Sequence, residues 1–177
     1  MTEPAVIRPA VIADAPGITR VHWNSHQTTY VEPGRVPRDV VEGWTYADRI
    51  RAWTTNLAIA NDVFPAPEGF HRMEIWVAVV GGENGGEVVG WANTSPGRDT
   101  DAPRDLELEG LYVLDEFHGT GVGQALLDTA IGDRPAYLWA LADNPRAQAF
   151  YRRNGFELDG VSKVDEFWHV LEVRFIR

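Results

Sequence analysis

The stretch Leu106-Glu107-Leu108-Glu109-Gly110-Leu111-Tyr112-Val113, followed after a short turn by His118-Gly119-Thr120-Gly121-Val122-Gly123, decides how this chain is read. Apolar residues fall at 106 and 108, then at 111 and 113. A strand presents alternate residues to one face, so the change of parity at Gly110 predicts a β-bulge. A bulge bends the strand away from its neighbour. It leaves backbone N–H and C=O groups free to take an extended ligand in the manner of an added strand. The glycines then run straight into a helical pattern, Gly121 to Ile131, with Val122, Ala125, Leu126 and Ala130 on its apolar stripe. Small residues let the backbone approach an anion closely, and a helix N-terminus turns free N–H groups towards it. The segment therefore predicts phosphate binding by backbone.

Two nucleotide motifs fail on the letters. A dinucleotide fingerprint needs a third glycine where Gln124 stands, although Asp143 lies at a tempting distance beyond Gly123. A P-loop needs Gly-Lys-Ser/Thr, and the only lysine is Lys163. The cluster Gly81 to Gly86 has no helix after it and predicts a hairpin turn between strands Glu74–Val80 and Glu87–Thr94.

Outward from this centre, Val6 to Val11 reads as a first strand and Asp14 as the N-cap of a helix running towards Tyr30. The segment from Glu32 to Pro37 interrupts it. Thr45 and Asp48 form a capping-box pattern for a second helix carrying Ile50, Trp53 and Leu57. The bulged strand runs from Leu106 to about Leu114, and Tyr137 to Leu141 is a short apolar strand. Asn144 as N-cap, Pro145 at N1 and Gly155 past the end punctuate a further helix. Strands Phe156–Lys163 and Phe167–Ile176 complete the pattern. Early helices, a run of antiparallel strands and then strand–helix–strand predict an α+β fold, a mixed α/β layer.

The composition narrows the function. The 177 residues carry 16 basic and 26 acidic side chains, a formal net charge of -10. One domain spanning 1–177 suits that length, and it buries a core without staples. The acidic balance argues against nucleic acid, whose binders need a basic footprint, and against an anionic membrane. There is no cysteine, which excludes a thiolate nucleophile and a cysteine metal site. The opening residues lack an export signal and no stretch approaches 18 apolar residues, so a cytoplasmic location is expected.

The second informative cluster runs Asn144-Pro145-Arg146-Ala147-Gln148-Ala149-Phe150-Tyr151-Arg152-Arg153-Asn154-Gly155-Phe156. Helical spacing places Asn144, Ala147 and Tyr151 along one side. Taken alone, Tyr151 reads as a core aromatic. Together, the two clusters resemble the cofactor-binding core of the GNAT acetyltransferase superfamily, whose loop Arg/Gln-x-x-Gly-x-Gly/Ala follows a bulged strand and precedes Asn-x-x-Ala-x-x-x-Tyr-x-x-x-Gly-Phe. Asn144, Ala147, Tyr151, Gly155 and Phe156 fill that second pattern, and His118 replaces the usual Arg or Gln. The resemblance is strong from about 106 to 156 and weaker in the N-terminal helices.

The resemblance implies a GNAT-like fold, with a mostly antiparallel central sheet, a splayed strand pair and flanking helices. It implies acetyl-CoA as co-substrate and no metal. The pantetheine arm would pair with the backbone of Leu111, Tyr112 and Val113. The pyrophosphate would sit on amides from Gly119 to Gly123, through Thr120, Gly121 and Val122, with His118 contributing mainly its backbone and Asn144 and Ala147 beside the arm. Arg146, Arg152 or Arg153 would meet the adenosine phosphate. The implied activity is N-acetylation of a primary amine, most simply of a small molecule. A protein N-terminus or lysine as acceptor stays open, as does a non-catalytic acyl-CoA-binding module. A homodimer is common in the family.

For catalysis, Tyr151 is the candidate general acid to the departing thiolate. Glu107 and Glu109 are the candidate bases, two apart and so on one strand face. Glu107 is favoured because it precedes His118 by the spacing seen in histone-acetylating members. His22 and His26 have i, i+4 spacing without an evident third ligand. His26 and Tyr30 are expected to touch the acceptor, while Trp23, Trp44 and Trp53 either line its pocket or pack the helices.

Overall fold

A computed structural model describes residues 4–36, 45–82, 86–166 and 168–177. Seven strands form one sheet: β1 (Val6–Pro9), β2 (Glu74–Val80), β3 (Glu87–Pro96), β4 (Leu106–Val113), β5 (Tyr137–Leu141), β6 (Glu157–Val164) and β7 (Leu171–Ile176). Their spatial order is β1-β2-β3-β4-β5-β7-β6. Every neighbouring pair is antiparallel except β4 and β5. The helices are α1 (Ala15–His26), α2 (Tyr46–Ala60), α3 (Val122–Ala130) and α4 (Pro145–Arg153). This is the expected mixed α/β layer.

Helices cover both faces. The imidazole of His22 in α1 packs 5.2 Å from the Trp91 ring, whereas Leu126 of α3 lies over the neighbouring Gly90. Successive strand residues point to opposite sides, so α1 and α3 sit on opposite faces. The core between them is continuous and includes Ile18, Val21, Leu57, Val77, Val79, Leu126, Leu127 and Phe175.

The bulge falls where the parity changes. Asn93 pairs with Gly110 and Thr94 with Leu108, which leaves Glu109 as the extra residue. Gly110 is required there, because a Cβ would come within 2.9 Å of the Trp91 ring. Beyond the bulge β4 parts from β5: only Glu107 and Leu108 pair across, with Tyr137 and Leu138. The edge of β4 from Glu109 to Val113 is consequently open towards β5. This splay is the main opening in the sheet.

Several boundaries moved. The first strand stops at Pro9, and a 3-10 turn, Ile12–Asp14, precedes α1. Asp14 stands at the N-cap of α1 as expected, but its side chain makes no bond to that helix; it binds Arg8 at 2.7 and 2.8 Å and accepts from the Val11 amide at the start of the 3-10 turn. The first helix also does not run unbroken to Tyr30. It passes at Gln27 into a wider π-helical turn, Gln27–Val31, which carries Tyr30. The Thr45–Asp48 capping box and the Asn144 cap form as expected, the latter accepting the Ala147 amide at 3.1 Å. Trp44, Pro37 and Phe167 lie outside the described residues, as do 83–85 of the β2–β3 turn.

Candidate active site

The splay opens into a cleft of about 680 Å³. That size suits a small ligand or the reactive end of a larger one. Two kinds of wall meet in it.

One wall is backbone. Gly119 and Gly121 have φ of +77° and +94°, which an L side chain rarely adopts, and a Cβ at either would project into open space. Gly121 also precedes the first turn of α3, where Val122 and Gly123 carry amides that no helical carbonyl can satisfy. The Gly119 and Gly121 amides meet no backbone acceptor among the described residues. A phosphate suits such a set of donors at a helix N-terminus, and the absence of side chains leaves room for it. His118 fits the turn through its imidazole: Nε2 donates to the Val113 carbonyl at 2.9 Å, so Nδ1 accepts from the Arg146 guanidinium at 2.5 Å. The side chain thus latches the glycine turn to β4 and brings a cation to its rim. Leu111, Tyr112, Val113, Asn144, Ala147 and Tyr151 also line the cleft. Thr120 turns its hydroxyl back to the Phe117 carbonyl at 2.7 Å, and Val122 is buried.

Tyr151 hangs from α4 between the two walls. Its ring is 8% exposed and packs against Phe150 and Phe156. Burial, assisted by Tyr112, pushes the phenol well above its ordinary value. It is therefore a proton holder at neutral pH.

The other wall is made of side chains from distant segments. Tyr30 and Trp168 stack at 6.1 Å, and His26 lies 4.7 Å from Trp168 and 5.0 Å from Tyr30. Burial and the neighbouring His22 and Arg49 push His26 well below its usual value, and burial with Arg49 takes His22 down to about 3. Both imidazoles are neutral. His22 accepts from Trp53 Nε1 at 3.4 Å, so Trp53 belongs to the packing beneath the site, and Trp23 meets Tyr46 edge to face.

Glu107 and Glu109 both reach the cleft, as their spacing predicts, but their surroundings differ. The Glu107 carboxylate is 2% exposed and fully engaged. Arg98 donates to it through Nη2 at 2.7 Å, Nε at 3.0 Å and its backbone amide at 3.2 Å, and Tyr137 donates its hydroxyl at 2.9 Å. Burial alone would raise this carboxyl; the Arg98 bonds outweigh it and hold the group below the ordinary carboxylate value. Three of these bonds fall on Oε2 and one on Oε1, and with Arg98 beside it the group is a weak acceptor for a substrate proton. Its geometry is that of a clamp that fixes Arg98. Glu109, in the bulge, meets the same guanidinium at 3.4 Å.

Sequence reasoning missed Arg98, Trp139, Lys163, Asp165, Trp168 and Glu172, all of which line the cleft. They come from the β3–β4 loop, β5 and the β6–β7 hairpin. Only the insertion of β7 between β5 and β6 brings the hairpin to the splay.

Residues 71–158 match the acetyltransferase (GNAT) domain family. The chain belongs to the GNAT superfamily. An uncharacterized N-acetyltransferase of Mycobacterium tuberculosis is 35% identical over 89 residues, which are 47% of this chain and 54% of that relative. The chain thus spans about half the length of that curated relative. A phosphinothricin acetyltransferase from Sinorhizobium meliloti, solved with acetyl-CoA, superimposes with a TM-score of 0.64 at 25% identity, over 100% of this chain and 88% of that one. The PaiA N-acetyltransferase from Thermoplasma acidophilum, solved with coenzyme A, shares the fold with a TM-score of 0.68 at 18% identity, over 96% and 97% of the two chains. These GNAT neighbours bind coenzyme A or acetyl-CoA, and the glycine turn described above belongs to the matched domain. Among the described residues, no helix is long and apolar enough to cross a membrane.

Proposed function

We propose that the chain transfers an acetyl group from acetyl-CoA to the primary amine of a small molecule, by direct attack within a ternary complex. The observation that carries this reading is the continuity of one cleft, from the glycine turn at Gly119–Gly123, past Tyr151, to the aromatic and acidic wall at Tyr30, Trp168 and Glu172. Acetyl-CoA supplies an activated thioester carbonyl. The rest falls to the chain. The free amides of Gly119, Gly121, Val122 and Gly123 hold the pyrophosphate, with Arg146 at its rim and His118 locking the turn. The free edge of Leu111 to Val113 pairs with the pantetheine arm, and Asn144 and Ala147 flank it. Tyr151 donates a proton to the departing sulfur. His26 and Tyr30 bound the acceptor. With no cysteine in the chain, an acyl-cysteine intermediate has no candidate nucleophile. The matching phosphinothricin acetyltransferase, named for a small acceptor, supports a small-molecule amine here.

Thiol release from acetyl-CoA with a panel of amines tests the proposal. Turnover of small amines such as 2-phenylethylamine or spermidine is the expected result. Turnover confined to peptide amines moves the assignment to protein acetylation. Thermal stabilisation by coenzyme A with no turnover of any amine points to a binding module.

A further inference from the structure

The acceptor wall holds one carboxylate that its neighbours leave unused. Glu172 lies on β7, opposite Leu141 of β5 on one side and opposite Lys163 of β6 on the other. A directly opposed lysine and glutamate ordinarily pair across strands. Here the Lys163 ammonium turns away: it lies 3.6 Å from Asp99 and 3.9 Å over the Trp139 ring. Arg98, the next cation, is taken by Glu107 and Glu109. Among the described residues the Glu172 carboxylate has neither an ion pair nor a hydrogen bond. Its side chain nevertheless lines the cleft alongside Tyr30, Tyr112, Trp139 and Trp168. A half-buried carboxylate left unpaired in an aromatic pocket is poised for a cation that arrives from outside.

We propose that Glu172 is the catalytic base, receiving the proton of the acceptor's ammonium group. The inference rests on the transferase reading above. Glu172 takes one proton from R–NH3+, and the freed nitrogen pair forms the C–N bond at the thioester carbonyl carbon. The C–S bond breaks with its electrons on sulfur, which Tyr151 protonates. The second proton lost by nitrogen restores the Tyr151 phenol, and Glu172 releases its own proton to solvent. The balance is one amide, one thiol and one proton from an ammonium and a thioester.

The electrostatics agree with that role. Burial first, then the facing Asp165, pushes the Glu172 carboxyl up to about 6, with Glu107 acting in the same direction and Lys163 and Arg98 opposing. Tyr30 and Tyr112 also face it and stay protonated, because burial raises both, Tyr112 to about 12. A base that ionises near 6 is charged at neutral pH, yet basic enough to share a proton during attack.

The test compares wild type, Glu172→Gln and Glu172→Asp. Thiol release from acetyl-CoA with 2-phenylethylamine, spermidine and an alanine-leading peptide is followed from pH 5 to 9. In parallel, the 13C carboxyl signals of the free protein are titrated. Wild-type kcat/KM should fall below about pH 6 on the best of these amines. Glu172→Gln should lower it by about 10²-fold or more and abolish that acid limb. Thermal stabilisation by coenzyme A should stay unchanged, which shows the variant folded, and Glu172→Asp should restore part of the rate. One glutamate carboxyl should titrate near 6 and vanish in Glu172→Gln. A Glu172→Gln enzyme that keeps its rate and acid limb overturns the assignment. So does a free protein with no such carboxyl, whether or not it is active. If that carboxyl is present but wild type turns over no amine, the transferase reading itself falls, and the base assignment with it.

Discussion

The two walls of the cleft are built on different principles. The cofactor wall is contiguous chain: β4, the glycine turn, α3, β5 and α4 follow one another, and its donors are backbone amides. The acceptor wall gathers Tyr30, Arg98, Trp139, Lys163, Asp165, Trp168 and Glu172 from four separate segments, and its chemistry is all side chain. A backbone site tolerates almost any sequence that keeps its glycines, whereas a side-chain site can be respecified residue by residue on the same frame. The difference explains how an acidic protein can hold a polyphosphate. On the proposed reading, fixed amides and a helix end supply the positive potential, and the net charge of -10 is left to favour a cationic acceptor.

Tyr151 stands between the walls, and the largest effect is expected there. Tyr151→Phe should reduce kcat by about 10²–10⁴ while leaving the coenzyme A Kd within a factor of about two, because only a transferred proton is removed. Steady-state kinetics beside calorimetric titration with coenzyme A measures both. Unchanged kcat would return Tyr151 to the core and leave the two walls without a shared catalytic group.

Gly121→Val strikes the cofactor wall alone. The φ of +94° strains any L residue by about 1–2 kcal/mol, and the new methyls occupy the space above the α3 amides. Coenzyme A affinity should fall at least about 30-fold, equivalent to about 2 kcal/mol. A thermal shift on adding coenzyme A as large as that of wild type would mean that the glycine turn holds no phosphate.

Tyr30→Ala strikes the other wall. Losing one face of the stacked Tyr30–Trp168 pair should raise the acceptor KM about tenfold, with the coenzyme A Kd unaltered. A matching loss of coenzyme A affinity would show that the walls are not separable.

The contrast also explains what the sequence disclosed. The bulge at Glu109–Gly110 was legible because a parity change along one strand is a local signal, and Gly110 is there for a local reason, the Trp91 ring. The Asn144 cap, Pro145 and Gly155 were legible on the same ground. Glu172 was not. In the pattern Glu172-Val173-Arg174-Phe175 it reads as one of two charges on the solvent face of a terminal strand. Its place in the cleft depends on β7 lying between β5 and β6, and on Lys163 choosing Asp99 over the residue opposite. Glu107 shows the reverse case: spacing singled out its position, but not the four hydrogen bonds that Arg98 and Tyr137 place on its carboxylate. Asp14, placed as a helix cap by its type and position, was likewise claimed by an arginine.

The smallest effect concerns the floor beneath the acceptor wall. His22 stays neutral in the fold down to about pH 3, because burial and Arg49 oppose its charge, whereas in the unfolded chain it titrates near 6.5. Below pH 6.5 the unfolded state therefore binds a proton that the folded state refuses. Stability is full above that pH and is lost as pH falls from 6.5 towards 3. The loss from this one group between pH 6.5 and 5.5 should be at most about 1 kcal/mol. Urea unfolding at those two pH values measures it. His22→Asn, which keeps an acceptor for Trp53 but cannot titrate, should narrow the gap between the two free energies. An unaltered gap would place the acid sensitivity elsewhere, and His26, held neutral in the same way, would be the next residue to replace.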